Sequence, residues 1–210
     1  MTTISWTMLA PNPETVKQNP MKIILALIFC LLALTDASSQ KATSPKKHFI
    51  GEHFEGGIVF YTCKNGRHGL ISSTVDQGTI LPWYIGEFRS TGADKDGIRA
   101  GAKNTKLIVA AQAHDSISGN IAAQICADYF VTVDGRVFDD WYLPSACELN
   151  LLYKQRNVVG IIMDVHLSDS FWSSTETDAN NATSQGFYFG NVMVMAGKGN
   201  INRVRAIRHF

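Results

Sequence analysis

The chain has 210 residues, of which 45% are hydrophobic, 10% aromatic and 18% charged. These proportions are typical of a globular protein and exclude a disordered, collagen-like or coiled-coil chain as the dominant state. The 19 Lys and Arg residues against 18 Asp and Glu residues give a formal net charge of +1, so the overall charge indicates neither nucleic acid nor a strongly acidic partner.

An export signal is predicted near the amino terminus. Lys22 precedes an uncharged apolar run over residues 23–34, and the small residues 37–39 form a cleavage site before Gln40. The run is too short to cross the ~30 Å hydrocarbon core as a helix. We therefore expect a signal peptide over residues 21–39, with a buried helix or an uncleaved anchor as the alternatives.

The segments on either side of the signal set the expected boundaries of the folded part. Residues 1–20 are interpreted as an over-extended start, with a cytoplasmic extension as the alternative. Residues 40–48 are polar and basic and predict a flexible linker, so the domain is expected over residues 49–210. The signal predicts an extracytoplasmic location (secreted, periplasmic or on the cell surface) without a stable membrane span after cleavage.

Three cysteines follow the signal: Cys63, Cys126 and Cys147. An odd number leaves at least one thiol unpaired or paired between chains. A Cys126–Cys147 bridge is compatible with an oxidising compartment, and the alternative is three buried small apolar side chains.

The domain is predicted to open with a β-hairpin. A β-branched and aromatic run covers residues 58–62, and residues 68–73 form the returning strand. Asn65-Gly66 lies between them and is typical of a type I′ turn, in which both central residues need positive φ.

The centre of the domain is predicted to be a long loop followed by helices. Residues 76–104 have no period, whereas residues 105–112 and 120–130 have helical periodicity, with Asn120 in position to cap the second helix. A third helix is expected from residue 145 to about residue 156, because Ser and Glu there have the spacing of a capping box.

The carboxy-terminal part is predicted to be β-structure. Strands are expected at residues 171–174, 186–189, 192–195 and 204–208, with a polar loop over residues 175–184. Because strands and helices are segregated along the chain, the predicted class is α+β with mostly antiparallel sheets.

A set of short motifs occurs in order along almost the whole predicted domain. They are Gly56-Gly57-Ile58-Val59-Phe60-Tyr61, His68-Gly69-Leu70-Ile71, Gly101-x-x-Asn104-Thr105, Asp140-Trp141-Tyr142-Leu143-Pro144-Ser145-x-x-Glu148-Leu149, Phe171-Trp172-Ser173-Ser174 and Val204-Arg205-Ala206-Ile207-Arg208. Through these motifs the chain resembles the Lcl carboxy-terminal domain family of bacterial surface and secreted proteins.

This resemblance implies a C-type-lectin-like fold with mostly antiparallel sheets, two to three helices and long loops, and an extracytoplasmic binding role. One collagen-like adhesin carries such a domain as a trimeric, glycosaminoglycan-binding head. The present chain has no Gly-x-y collagen repeat, and it lacks the Glu-Pro-Asn, Gln-Pro-Asp and Trp-Asn-Asp motifs of calcium-dependent lectins. Calcium-dependent sugar binding is therefore not expected.

The motif residues of the carboxy-terminal half are interpreted as structural. Trp141 is expected to fill the core and Ser145 to cap a helix, and the alternative is that Asp139 and Asp140 bind a cation or polar ligand beside Trp141. The residues in this structural set are Asp140, Trp141, Pro144, Ser145, Glu148 and Trp172.

The candidate ligand residues are of two kinds. Trp83 and Tyr84 lie in the loop 76–104, which we expect to form a binding surface together with the loop 175–184. The second kind is basic: Arg203, Arg205 and Arg208, near Lys198.

On one strand Arg203 and Arg205 would share a face, and paired guanidinium groups suit the sulfate or carboxylate groups of acidic glycans. The alternative is that these arginines pair with Asp139, Asp140 or Glu148 inside the domain.

The sequence predicts neither an enzyme nor a metal or cofactor site. It contains no Gly-x-Ser-x-Gly, His-Glu-x-x-His or phosphate-loop motif, and the calcium-like stretch 94–97 lacks a first Asp and a terminal Glu. We predict a non-catalytic, carbohydrate- or protein-binding domain in adhesion, with a homo-oligomer allowed. The alternative is a structural or assembly component of the cell envelope without a free ligand.

Overall fold

The computed structural model describes residues 46–115, 119–162 and 169–210. The predicted signal at 21–39, the segment before it and most of the linker at 40–48 lie outside the described residues. The described residues belong to one compact unit, Pro45–Phe210. Within them the fold is α+β with three helices and mostly antiparallel sheets, as the sequence pattern predicted.

The three helices are α1 (Ala100–His114), α2 (Ala122–Ala127) and α3 (Ala146–Lys154). The capping box predicted for α3 is confirmed: Ser145 Oγ accepts from the Glu148 amide at 3.3 Å, and the Glu148 carboxylate accepts from the Ser145 amide at 2.9 Å. Ser145 and Glu148 are both buried, so the packing of the domain supports the same helix start that the local sequence predicted.

The other two helices begin where the sequence did not predict. The N-cap of α2 is Ile121 rather than Asn120, because Ile121 is fully buried and its placement in the core decides where the helix starts. Helix α1 begins at Ala100 instead of residue 105. Its first turn packs closely on Glu148, since a Cβ at Gly101 would come within 2.5 Å of the Glu148 carboxylate.

The first sheet has four antiparallel strands in the order β1-β2-β3-β11. It contains the predicted hairpin and pairs the last strand of the chain with β3, so the two extremities of the domain meet in one sheet. The strands are β1 (His53–Phe54), β2 (Gly57–Thr62), β3 (Gly69–Ser73) and β11 (Ile207–His209).

The turn of the hairpin differs from the expected type I′ turn. Gly66 has a φ of +67°, but Asn65 does not have positive φ. The side chain of Asn65 instead accepts from the Arg67 amide at 2.9 Å, inside a connection that runs from Thr62 to Gly69. A connection of this length reverses the chain gradually, so it does not need two left-handed residues in succession.

The second sheet has five strands in the order β4-β10-β7-β8-β9. All pairs are antiparallel except β10 with β7, which run parallel through Arg203 and Phe171. The strands are β4 (Gly78–Pro82), β7 (Ser170–Glu176), β8 (Asn181–Gly186), β9 (Val192–Gly197) and β10 (Ile201–Val204).

Two predictions in this sheet are wrong. The expected loop over 175–184 is only a tight turn, because β7 extends to Glu176 and β8 begins at Asn181. The expected strand over 186–189 is absent, since β8 ends at Gly186 and Phe187 turns into the core. The polar residues of β8 are themselves mostly buried, so a hydrophobicity pattern could not reveal the strand.

A small separate hairpin is formed by β5 (Val131–Val133) and β6 (Arg136–Phe138). Its two turn residues, Asp134 and Gly135, have φ values of 49° and 77°. Positive φ at both positions is what a type I′ hairpin turn requires, and Asp-Gly is one of the residue pairs that favour this turn.

The closing segment 204–208 is not one strand, contrary to the prediction. Strand β10 ends at Val204 in the second sheet, and β11 begins at Ile207 in the first. Arg205 and Ala206 cross between the sheets, where the Arg205 guanidinium donates to the Ser73 carbonyl at 2.8 Å. The expectation that Arg203 and Arg205 share one strand face therefore fails, because the strand stops between them.

Aromatic residues fill the core between the sheets and helices. Each of the three buried indole N–H groups donates to a backbone carbonyl: Trp83 to Ser173 at 2.7 Å, Trp141 to Phe138 at 3.0 Å and Trp172 to Leu81 at 2.8 Å. Trp141 and Trp172 thus lie in the core with their indole N–H groups paired, and a buried indole needs an acceptor for its only donor.

The cysteines of the described residues are free thiols. Cys126 is fully buried in the core, and its burial raises the pKa of the thiol. Cys147 is half-buried and Cys63 is exposed. The structure therefore places Cys126 as a small apolar core residue rather than in a bridge with Cys147.

Candidate functional site

The basic residues proposed for ligand binding are buried. Arg205 Nε lies 2.6 Å from Asp76 Oδ1, and Arg203 Nε donates to Asp76 Oδ2 at 2.9 Å. Asp76 belongs to the connection between β3 and β4 and was not among the predicted partners. One interior carboxylate thus joins two arginines where the chain crosses between the sheets.

Arg208 is also held inside the domain. Its Nε donates to Asp140 Oδ1 at 2.5 Å, and its Nη1 donates to Glu55 Oε2 at 2.6 Å. The guanidinium carbon lies 4.9 Å from the centre of the Phe138 ring and 5.9 Å from that of Trp141. Pairing with Asp140 was the alternative left open by the sequence, and it is what occurs.

Lys198 is the most buried of these cations, with its side chain 0% exposed. Its Nζ lies 2.5 Å from Glu176 Oε1 and donates to the Arg89 carbonyl at 2.8 Å. The Glu176 carboxylate also accepts from the backbone amides of Thr91 and Gly92. Burial alone would raise the pKa of Glu176, but Lys198 and the amide donors lower it below its usual value. This pair therefore fastens the long loop before α1 to the second sheet.

The proposed aromatic ligand surface is wrong. Trp83 and Tyr84 are both fully buried, and Lys198 Nζ lies 4.8 Å from the centre of the Trp83 ring. The Tyr84 hydroxyl donates to Asp115 Oδ2 at 2.5 Å, and burial together with Asp115 raises the pKa of Tyr84 to about 12. These rings lie in the core because the loop around them folds back onto the second sheet.

Glu148 joins the starts of two helices. Its Oε1 accepts from the Arg99 amide at 2.7 Å and from the Tyr142 hydroxyl at 3.0 Å, and its Oε2 accepts from the amides of Ser145 and Gly101 at 2.9 and 3.2 Å. Burial raises the pKa of Glu148, and these four donors act against that rise. The carboxylate is thus the buried acceptor that holds the chain in place at Arg99.

Arg99 has an unusual backbone. It is the N-cap of α1 and has a φ of +74°, a left-handed conformation that residues with a Cβ rarely adopt. Strained residues of this kind are enriched at binding sites, where the surrounding structure holds them. Here the amide bond to Glu148 supplies that hold, and the Arg99 residue itself is exposed.

A cavity of about 330 Å³ opens beside Arg99 at the end of the first sheet. We call it the Arg99 pocket. It is formed by the β2–β3 connection, the end of β11 and the residues just before α1. Its lining residues are Tyr61, Cys63, His68, Gly69, Ile98, Arg99, His209 and Phe210.

Arg99 and His209 are the polar centre of the pocket. Arg99 Nη2 and His209 Nε2 are 3.4 Å apart, and since a guanidinium can only donate, His209 Nε2 is the acceptor. Burial lowers the pKa of His209, and Arg99 and Arg208 lower it further against the opposing effect of Asp140. The ring is therefore neutral near pH 7 and carries its proton on Nδ1.

The guanidinium of Arg99 differs from the interior arginines in having no acidic partner. Within residues 46–115, 119–162 and 169–210, no carboxylate lies within 4.0 Å of it. In the same part of the chain, the buried Nδ1 of His209 has no hydrogen-bond partner. A guanidinium fork with open donors suits a carboxylate, sulfate or phosphate group, and the rings of Tyr61 and Phe210 add apolar wall.

No pattern in the sequence indicated this pocket. Arg99 stands alone in a loop, and its positive φ depends on Glu148, which lies 49 positions further along the chain. His209 and Phe210 reach the pocket only because β11 pairs with β3. The tertiary contacts therefore make Arg99 the candidate ligand residue, in place of the basic cluster that the sequence indicated.

The described residues contain neither a metal-binding cluster nor a membrane-spanning helix. In residues 46–115, 119–162 and 169–210, no group of three or more His, Cys, Asp or Glu side chains is arranged to hold a metal ion. Among the helices of that part of the chain, none has the length and apolar character needed to cross a bilayer.

Comparison with known proteins finds distant structural similarity only. No family model matches the chain, and no curated protein matches it. A fimbrial protein from Bacteroides ovatus ATCC 8483 is similar in structure, with a TM-score of 0.44 and 17% identity. The alignment covers 84% of this chain and 40% of the fimbrial protein, so the chain spans less than half of that protein's length. Similarity at this level assigns neither a fold family nor a function.

Proposed function

We propose that the domain is an extracytoplasmic, non-catalytic binding module that recognises an acidic group of a glycan or protein ligand at the Arg99 pocket. The observation that carries this proposal is the exposed Arg99 guanidinium, which has no carboxylate partner within the described residues and lies beside a neutral His209. An unpaired guanidinium at a cavity is a preformed receptor for an oxyanion.

The walls of the pocket favour a sugar as the carrier of that acidic group. Tyr61 and Phe210 present aromatic surface next to the polar centre, and a cavity of about 330 Å³ lies in the size range of small-molecule sites. Aromatic rings pack on apolar faces of a ligand, while the guanidinium fixes its charged substituent. A sulfated or uronic-acid sugar combines both features.

The wider setting of the proposal comes from the sequence. The resemblance of the ordered motifs to the Lcl carboxy-terminal domain family supports a C-type-lectin-like module at the bacterial surface. The predicted signal over residues 21–39 supports export. The α+β fold with antiparallel sheets and three helices is compatible with that assignment.

The proposal is tested with the compact unit, residues 45–210, on arrays of sulfated, uronic-acid and neutral glycans, followed by titration of the acidic glycans that bind. Arg99→Ala is expected to weaken binding by roughly tenfold or more, because a charge-assisted hydrogen-bond pair contributes at least ~1.5 kcal/mol. The matched control is Arg136→Ala, which removes another arginine whose side chain is 73% exposed and lies away from the pocket.

Two results would count against the proposal. Equal loss of binding in both variants would indicate a general charge effect rather than a site. Binding to neutral glycans alone, or to none of the acidic probes, would exclude recognition of an acidic sugar at this pocket.

A further inference from the structure

Exposed apolar side chains are concentrated at the end of the second sheet, on strand β9 and the turn before it. Four successive residues of β9 are about half exposed, so both faces of the strand carry apolar side chains at the surface. The turn adds two aromatic rings in edge-to-face contact, with centroids 4.6 Å apart. We call these six residues the β9 patch: Tyr188, Phe189, Val192, Met193, Val194 and Met195, which are 50–81% exposed.

The position of β9 makes this exposure informative. Among the described residues, the strand is at the end of the five-stranded sheet and pairs with β8 on one side only. Edge strands of monomeric proteins are normally protected by charged side chains or proline. Residues 186–197 contain neither, although an extra residue between Met193 and Ala196 forms a β-bulge. Ahead of the bulge, Val192 and Met193 pair regularly with β8 and form the regular part of this edge.

The size of the patch fits a protein interface. A half-exposed side chain of this size contributes on the order of 100 Å², so six of them offer roughly 600 Å². Ile201 is 54% exposed and lines the same cavity as Met193, which extends the apolar surface onto β10. The total approaches the ~800 Å² that each partner buries in a standard stable interface.

The lack of charge favours a second copy of this chain as the occupant. In a two-fold symmetric interface each residue meets a residue of the same patch, so charges of a single sign on that patch, or a charge close to the axis, would face like charges. A strand without charged residues avoids that cost, and antiparallel pairing of two identical edges satisfies backbone groups on both. A charged partner, in contrast, would find no complementary charge on residues 186–197.

We propose that the β9 patch is a homodimer interface, in which the β9 strands of two copies pair antiparallel about a two-fold axis near Met193. The two five-stranded sheets then form one continuous sheet, and the Val and Met side chains of both copies cover each other on its two faces. This proposal concerns a surface separate from the Arg99 pocket and does not depend on the ligand proposed there.

The test measures the mass of residues 45–210 by light scattering and sedimentation at protein concentrations from about 1 to 100 μM, a range that detects a micromolar dissociation constant. The wild-type protein is expected to pass from monomer to dimer. Val194→Lys is expected to remain monomeric over the whole range, a shift of more than tenfold in the dissociation constant. The matched control is Val137→Lys on β6, because Val137 is 58% exposed and Val194 is 56% exposed. This control is expected to dimerise like the wild type.

A second measurement uses the full chain in intact cells and keeps the test decisive if Val194→Lys does not fold. With Cys63→Ser as the background, Met193→Cys is expected to give a disulfide-linked dimer under oxidising conditions, and Val137→Cys is not. A monomeric wild type at every concentration, dimerisation of Val194→Lys, or a cross-link of Met193→Cys to a different protein would each overturn the proposal.

Discussion

The domain contains two kinds of arginine, and the difference between them separates structure from recognition. Arg203, Arg205 and Arg208 lie in the closing segment, are largely buried and share the carboxylates of Asp76, Asp140 and Glu55. Arg99 stands in the loop before α1, is exposed and faces a cavity. A cluster of basic residues in a sequence therefore need not be a binding surface.

The contrast arises from where each arginine meets the sheets. The closing segment leaves the second sheet after Val204 and joins the first at Ile207, so its side chains are enclosed between them. Burial lowers the pKa of Arg205, with Arg203 adding to the effect, and Asp76 opposes it. These cations hold the two sheets together, whereas Arg99 contributes no such contact.

The largest expected effect is on stability and comes from the interior pair. The double change Arg203→Ala and Arg205→Ala leaves the Asp76 carboxylate buried without either partner. We expect a loss of roughly 3–5 kcal/mol in the free energy of unfolding, measured by urea denaturation.

The matched control for the interior pair is Arg67→Ala, which removes an exposed arginine and should change stability by less than ~0.5 kcal/mol. If the double variant folds with wild-type stability and loses binding to sulfated glycans, the interior arginines are ligand residues and the contrast with Arg99 collapses.

A smaller effect on stability, opposite in sign, is expected from a substitution of Arg99. Arg99→Gly removes the steric cost of the left-handed backbone at φ +74°, which for a residue with a Cβ is about 1 kcal/mol. The variant should therefore be equally stable or more stable by up to ~1 kcal/mol in thermal unfolding, while its affinity for acidic glycans falls.

Arg99→Lys distinguishes charge from geometry at the same position. Lysine retains the positive charge but not the planar fork of donors, so it should recover only part of the affinity. Full recovery would mean that charge alone, and not the guanidinium geometry, governs binding at the pocket.

The smallest expected effect is a dependence of binding on pH through His209. Burial, Arg99 and Arg208 lower its pKa in the free protein, and a bound sulfate would favour the protonated ring and raise it again. Binding then takes up a proton, so affinity for a sulfated glycan should rise as pH falls below ~6.5, by up to about tenfold for each unit by which the pKa changes.

Titration calorimetry between pH 5 and 8 measures this dependence. His209→Asn should flatten the profile, whereas His68→Asn serves as the control because His68 lines the same pocket. A profile that stays steep in His209→Asn and becomes flat in His68→Asn would assign the titration to His68 instead.

Local patterns predicted the elements whose signals lie within a few residues. The hairpin of β2 and β3, the strand β9 and the Ser145 capping box were all recognised correctly. The polar strand β8 and the early start of α1 were missed, because both depend on neighbours distant in sequence. Trp83 and Tyr84 were placed at the surface for the same reason: a long loop without a period does not reveal which side packs against the sheet.

The candidate pocket could not have been predicted in the same way. Arg99 is brought to His209 by the pairing of β11 with β3 and is held by Glu148, and these contacts join segments separated by 110 and 49 positions. No pattern of spacing in a single sequence encodes such a contact. From the sequence, only the arginines of the closing segment could be proposed as ligand residues, because they lie close together along the chain.

By itself, then, the amino-acid sequence determined the class of fold, the cap of α3, the positions of strands β2, β3, β7 and β9 and the expectation of export. Only the tertiary structure determined which charged side chains are buried with a partner and which are exposed. Helix caps and tight turns are settled by neighbouring residues, while the partner of a buried charge is settled by the way distant strands enclose it.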